Sequence, residues 1–241
     1  MPFSRRSALA ALAALASLPV LPMNGRAAQP MRIGTVGAGS LGGTVGRLWV
    51  QAGHDVRFSS RDPDELVAMT CKLGPRASAG TPREAAEFGE VVLFAVPYSA
   101  LPQLGRDLHE VLRGKVVLDA CNPVTPGADD TLAREAMANG VALTTAKYLP
   151  DTRLVRVFSA VDATAIAASA GRQSDKLGVP VAGDDAHAVQ VAAQLVRDVG
   201  CEPVIVGKLA AARSFQRFGP GFRANTTAPE LRRLLALPEA K

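Results

Sequence analysis

Cysteine is scarce in this chain: Cys71, Cys121 and Cys201 are all there is, with no CxxC and no histidine at metal-ligand spacing from any of them. A disulfide framework and a zinc site are therefore excluded as the organising principle, and no metal ligand set is assigned. Blocks of one charge are missing as well. The formal net charge is +5, but Lys and Arg are spread along the chain, which argues for bulk basic character and against nucleic acid as a partner. Long hydrophobic runs are also absent. The longest, Ala8 to Leu18, is short and alanine-rich, whereas a membrane span wants ~20 strongly apolar residues, so the chain does not read as an integral membrane protein. No internal repeat is visible, and no pair of residues presents itself as a general acid and base.

What is present suffices for a folded domain. With 48% apolar and 20% charged residues, 241 residues can bury a core as one large domain or one domain plus a small lobe. The first 28 residues stand apart. Ser4-Arg5-Arg6-Ser7 precedes the apolar run to Leu18, then come Pro19, Pro22 and Arg26-Ala27-Ala28, the layout of a twin-arginine export signal peptide. An amphipathic helix fits poorly, because residues 8–18 have no polar face. The expectation is Tat export to the periplasm, or a cytoplasmic location if the signal is not used.

From Gln29 onwards strands and helices alternate. The pattern predicts strands at Met31–Val36, Asp55–Ser59, Val91–Val96, Lys115–Ala120, Leu154–Phe158, Pro180–Ala182 and Pro203–Val206. Helices are predicted at Leu41–Ala52, Pro63–Lys72, Thr81–Phe88, Leu101–Leu112, Asp130–Asn139 and Asp185–Val199, with Gly140 and Gly200 closing two of them. Such alternation implies a mostly parallel sheet with helices on both faces. A soft boundary falls near residue 160, where Ala163–Ala170 is Ala-rich and weakly patterned. The division expected is 29–160 for a nucleotide-binding domain and 161–241 for a small C-terminal lobe.

Gly37-Ala38-Gly39-Ser40-Leu41-Gly42 is a GxGxxG placed directly after a predicted strand and opening a helix. In that context Gly37 makes the tight turn, Gly39 lets backbone approach a pyrophosphate, and Gly42 lets helix and strand pack closely. The free amides of the helix N-terminus then face the anion. The fold class is accordingly α/β, a Rossmann-type doubly wound sheet with a small C-terminal lobe. At the end of the second strand, where an NAD site carries Asp or Glu, the chain reads Ser59-Ser60-Arg61. Two hydroxyls and a guanidinium suit a 2′-phosphate, so the cofactor expected is NADP(H). The alternative is that Arg61 pairs with Asp62 or Asp64 on the surface.

Two more strand ends point at the same crevice, Ala95-Val96-Pro97-Tyr98 and Ala120-Cys121-Asn122-Pro123. Their small apolar groups can pass the cofactor and support a nicotinamide, and Asn122 can hydrogen-bond a ribose or carboxamide; the prolines equally serve to stop the strands. Cys121 reads as a small buried hydrophobe, since no histidine lies nearby in sequence to activate it. His54, His109 and His187 read as solvated, in turns or on polar helix faces. No catalytic residue is assigned.

With these motifs the chain resembles the deazaflavin (coenzyme F-420)-dependent NADP reductase family, from about Met31 to Arg213. The resemblance is carried by Gly37–Gly42, Ser60-Arg61-Asp62-Pro63, Ala95–Tyr98, Asp119–Pro123, Val155–Phe158 and Gly183–Ala186. The nucleotide module is also similar to the soluble domain of six-transmembrane metalloreductases and, more distantly, to the N-terminal domain of pyrroline-5-carboxylate reductase. The resemblance implies an oxidoreductase with direct hydride transfer between NADPH and a small-molecule or cofactor acceptor: a deazaflavin, a flavin or a metal chelate. It places the 2′-phosphate on Ser60 and Arg61 and the pyrophosphate on Gly39, Ser40 and Leu41. The nicotinamide half falls to Val96, Pro97, Ala120 and Asn122. Departures lie on the acceptor side: Ser159 where the family has Asn, Cys121 where Thr is common, and Ser214-Phe215-Gln216-Arg217 near the end. They motivate a second reading, a non-catalytic NADP(H)-binding or sensor protein. Homodimerisation is left open.

Overall fold

The computed structural model describes residues 29–124 and 130–238; the twin-arginine segment lies outside them. The chain runs β1 (Arg32–Val36), α1 (Ser40–Gln51), β2 (Asp55–Ser59), α2 (Val67–Leu73), β3 (Ala77–Gly80), α3 (Pro82–Phe88), β4 (Val91–Phe94), α4 (Leu101–Leu112) and β5 (Val116–Asp119). It continues with α5 (Thr131–Asn139), α6 (Val141–Tyr148), β6 (Arg153–Arg156), α7 (Ala163–Ser169), β7 (Gly178–Gly183), α8 (Ala186–Asp198), β8 (Glu202–Gly207), a 3-10 segment Leu209–Phe215 and α9 (Ala228–Leu234).

The strands form one sheet in the order β3-β2-β1-β4-β5-β6-β7-β8. All neighbours are parallel except β6 and β7. The chain winds outwards from β1 to β3 and returns to β4 on the other side of β1, which leaves a crevice at the carboxyl ends of β1 and β4. Residues beyond 160 extend this sheet with β7 and β8. The central strands β4 and β5 are buried along their whole length, as strands covered on both faces must be.

Local chemistry explains most boundaries. Thr81 and Glu84 form a reciprocal capping box with Pro82 in the first turn of α3, and Asp130 and Asp185 cap α5 and α8 through the amides of Ala133 and Ala188. The helix expected over Pro63–Lys72 opens instead as a 3-10 turn, Pro63–Leu66, because the Asp62 carboxylate accepts the Asp64 amide and tightens the first turn. The strand expected to reach Phe158 ends at Arg156, because Phe158 turns the chain through the left-handed region at φ +62°. β3, α6, α7 and α9 have no periodic pattern strong enough to announce them. α7 falls in the Ala-rich stretch, where its helical faces differ too little in polarity to be read.

Two apolar clusters fill the space on either side of the sheet. In the first, Trp49 on α1 meets Phe158 edge-on at 5.9 Å, and its indole N–H donates to the Leu195 carbonyl at 2.9 Å. Full burial of such side chains is worth about 1.5–3 kcal/mol each. α1 is thereby tied to the turn after β6 and to α8.

His54 corrects the expectation of a solvated side chain: it is 1% exposed. Its Nδ1 accepts the Met31 amide at 3.1 Å and its Nε2 faces Asp198 at 3.0 Å, so the ring joins the entry to β1 with the end of α8. The reason is tertiary, since the partner carboxylate comes from 144 residues away. His54→Ala should cost about 2–4 kcal/mol by leaving a buried amide unpaired beside a cavity. Urea unfolding would show this as a lowered midpoint.

Candidate functional site

The turn between β1 and α1 is closed by steric necessity. Gly37 has φ +98°, and a Cβ there would stand 2.5 Å from the Ala95 carbonyl oxygen. At Gly42 a Cβ would stand 2.0 Å from the Gly37 carbonyl oxygen. Gly39 is different: no atom lies within 4 Å of the place its Cβ would occupy. It is the N-cap of the twelve-residue α1, it offers no side chain to the first amides, and no acidic residue occupies the first turn. Open backbone at an uncapped helix N-terminus is an anion cradle.

Around this turn lies a groove of about 610 Å³, lined by Gly37–Gly39, Ser59–Arg61, Val96, Pro97 and the first turns of α4, among others. Its polar groups are not equivalent. Ser59 is fully buried; its hydroxyl donates to the Thr35 carbonyl at 2.7 Å and accepts the Gly37 amide at 3.4 Å, which fastens the glycine turn to β2. Ser60 only accepts the Asp62 amide. Arg61 is exposed and makes no hydrogen bond or ion pair with any described residue, so the surface pairing with Asp62 or Asp64 is not formed. Arg57 leaves the groove altogether, reaching Ser78 and the ring of Phe88. The carboxylate lining the groove is Glu65, one turn beyond Arg61 rather than at the strand end.

The carboxyl ends of β5 and β6 hold a buried polar network that sequence reasoning missed. Asp119 and Arg156 face each other in register across the two strands, both fully buried, with Nη1 to Oδ2 at 2.6 Å. Arg156 also donates to the Cys121 carbonyl and to Asn122 Oδ1, while Asn122 Nδ2 donates to the Ser159 carbonyl at 2.6 Å. Only the charged residues that end the two strands, Asp119 and Arg156, hint at this, and nothing in the sequence says that the two are neighbours. Ala120 and Asn122 lie outside the groove lining. Asn122 uses one Nδ2 hydrogen and its Oδ1 within this network, which holds its amide in place at the end of β5.

None of these groups is suited to proton transfer. Burial, and then the Asp119 charge, push the Cys121 thiol well above its ordinary range, so the thiolate is suppressed. Burial likewise raises Tyr98, whose hydroxyl donates to the Val141 carbonyl. Among the described residues no group of three or more metal-ligating side chains comes together. With the Cys121 thiol and the Tyr98 hydroxyl both held protonated, what these residues can do is bind and orient.

Known proteins resemble this chain in sequence and in fold. The family model described as NADP oxidoreductase coenzyme F420-dependent matches residues 32–123, from β1 past the end of β5. The chain is 26% identical over 188 residues to the metalloreductase STEAP3 of Rattus norvegicus, which covers 77% of this chain and 36% of that protein's length. It is 26% identical over 197 residues to the F420-dependent NADP reductase of Methanothermobacter marburgensis, covering 76% of this chain and 87% of that one. Among solved structures, a hypothetical protein from Sinorhizobium meliloti shares the fold with a TM-score of 0.67 at 23% identity, over 80% of this chain and 93% of that chain. The resemblance read from the motifs and the Rossmann-type fold class are both borne out.

The two kinds of glycine should separate on substitution. Gly39→Ala should change stability by no more than about 1 kcal/mol, the scale of an N-cap exchange, yet abolish tight dinucleotide binding by filling the cradle. Gly42→Ala should lose binding and also about 1–3 kcal/mol of stability, because the added methyl meets backbone. Calorimetric titration alongside urea unfolding would distinguish the two.

Proposed function

We propose that this protein binds NADP(H) across the crevice at β1 and β4 and works as a reductase passing hydride from NADPH to a bound acceptor. The observation that carries the reading is Arg61, a guanidinium without a partner at the end of β2. It lines the same groove as the open backbone of Gly39 and stands where an NAD site would carry a carboxylate. The residues fit the nucleotide: Gly39 to Leu41 would take the pyrophosphate on backbone amides, and Ser60 and Arg61 would take the 2′-phosphate. Val96 and Pro97 supply the apolar wall along which the rest of the nucleotide runs.

Bound NADPH supplies the hydride. The chain's own part is to fix the two reactants at short range and keep water away, which requires no general base. The matched family and the names of the relatives support a deazaflavin or a metal chelate as the acceptor, and a flavin is the third candidate. The second reading, a nucleotide sensor without turnover, is favoured by the burial of Ala120 and Ser159 at the ends of β5 and β6. No helix among the described residues is long and apolar enough to cross a membrane. The twin-arginine pattern at residues 4–18 supports export of the folded, nucleotide-loaded protein.

Stopped-flow oxidation of bound NADPH against a panel of flavins, deazaflavins and ferric chelates should show rapid hydride loss with at least one; tight binding with no turnover on any would favour the sensor. Arg61→Ala should weaken NADP(H) by roughly 1.5–3 kcal/mol while leaving NAD(H) nearly unchanged, the range for a hydrogen bond to a charged group. Equal losses for both nucleotides would remove Arg61 from the role. Replacing Arg5-Arg6 by a lysine pair should retain the protein in the cytoplasmic fraction.

A further inference from the structure

The groove lined by Gly37–Gly39, Ser59–Arg61, Val96 and Pro97 stops short of the carboxyl ends of β5 and β6, no residue of which lines it. Ala120, Cys121, Ser159 and Ala160, at the carboxyl ends of β5 and β6, are all buried. What passes over this end of the sheet is the segment 216–227. Gln216 Oε1 accepts the Val141 amide at the start of α6, and the Arg223 amide donates to the Ala160 carbonyl at 2.8 Å. Phe222 packs on the cluster that holds Cys121 and Ala160, and the Thr226 carbonyl accepts the Gly178 amide where β7 begins. The segment is thus a strap from α6 to β7.

One residue beneath it carries most of the polar attachment. Asp162 pairs with Arg223 at 2.6 Å, accepts Asn225 Nδ2 at 2.6 Å, and its amide donates back to Asn225 Oδ1. Burial tends to raise the Asp162 carboxyl, but Arg223 and Asn225 outweigh it and hold the group low, so the latch is ionic. Three non-glycine residues of the strap, Phe218, Arg223 and Asn225, have φ of +69°, +54° and +46°. The left-handed region is costly for Phe218 and Arg223, whereas Asn visits it readily.

Groups left unsatisfied lie at this covered end. Ser159 Oγ and Arg156 Nε are buried with no hydrogen-bond partner. Ser159 is 4% exposed, and the next residue in the chain is the one the strap bonds. A buried hydroxyl without a partner is costly in a native fold and points to a partner supplied from outside. Asn122 is not that group, being bonded to Arg156 and Ser159. A dinucleotide laid from Arg61 across Gly39 brings its carboxamide-bearing ring to this end of the sheet.

Resting on the NADP(H) reading, we propose that residues 216–227 cover a half-site for the nicotinamide, latched on Asp162, in which the Ser159 hydroxyl hydrogen-bonds the carboxamide. The adenosine 2′-phosphate end binds first in the open groove; the ring follows when the strap lifts.

Two probes separate the halves: NADP+, which has both, and adenosine 2′,5′-bisphosphate, which has only the first. Ser159→Ala should weaken NADP+ by roughly 3–10-fold, the worth of one hydrogen bond, leave the bisphosphate unchanged, and not lower the stability of the free protein. Asp162→Ala should speed NADP+ association several-fold in stopped flow while bisphosphate association stays as it was. Arg223→Ala, at an exposed position, serves the same purpose should Asp162→Ala fold poorly. Unchanged NADP+ affinity in the Ser159 variant, or unchanged NADP+ association in the latch variant, overturns the proposal. Failure of the unmodified protein to bind even the bisphosphate would instead remove the nucleotide reading on which it rests.

Discussion

The close approach of α1 to β1 is the constraint on which the rest of the site depends. With no Cβ at positions 37 and 42, the turn folds back until the Gly37 carbonyl touches the helix and the Ala95 carbonyl abuts the turn from β4. Ser59 then closes the third side from β2. Three strand ends are drawn together around one helix N-terminus, and the groove exists because they meet there. A methyl group at either glycine would push them apart and cost both packing and ligand.

The far end of the sheet obeys a different logic. There the protein has invested a buried ion pair, Asp119 with Arg156, whose removal by halves would cost about 3–5 kcal/mol. Through Asn122 the pair fixes the turn after β5 to the turn after β6, and so holds the left-handed Phe158 and the unpartnered Ser159. One end of the crevice is thus open, with Arg61 unpaired and the backbone of Gly39 bare, whereas the other is closed around a buried polar network in which Arg156 Nε and Ser159 Oγ have no partner. Such asymmetry is what a two-part ligand meets when its charged part must be captured before its reactive part is sheltered.

The helices and strands around the crevice were legible where side-chain chemistry acts within a few residues. The capping box at Thr81 and the turn at Gly140 announced their boundaries, and β2 and α4 have the bounds their periodicity implied. β3 and α7 were not legible, because small residues at an edge or in an Ala-rich stretch carry no period. The site divides in the same way. Gly37, Gly39, Gly42 and Arg61 could be recognised from spacing alone, since their roles depend on backbone geometry and on the lack of a neighbour. The bonding of Asn122, and of His54 outside the site, could not, because their partners lie 34 and 144 residues away.

By itself the sequence determined that a dinucleotide-type cradle follows the first strand and that a guanidinium, not a carboxylate, ends the second; both are consequences of covalent neighbours a few bonds apart. Only the tertiary structure decided which hydroxyls remain available, with Ser59 consumed and Ser60 accepting a single amide, and that Arg61 stays unpaired while Asn122 does not. It also decided that residues more than fifty positions downstream roof the end of β6. The physical reason is that a hydrogen-bonding group is free or spent according to what the fold brings within 3 Å of it, and no local pattern in the chain encodes that distance.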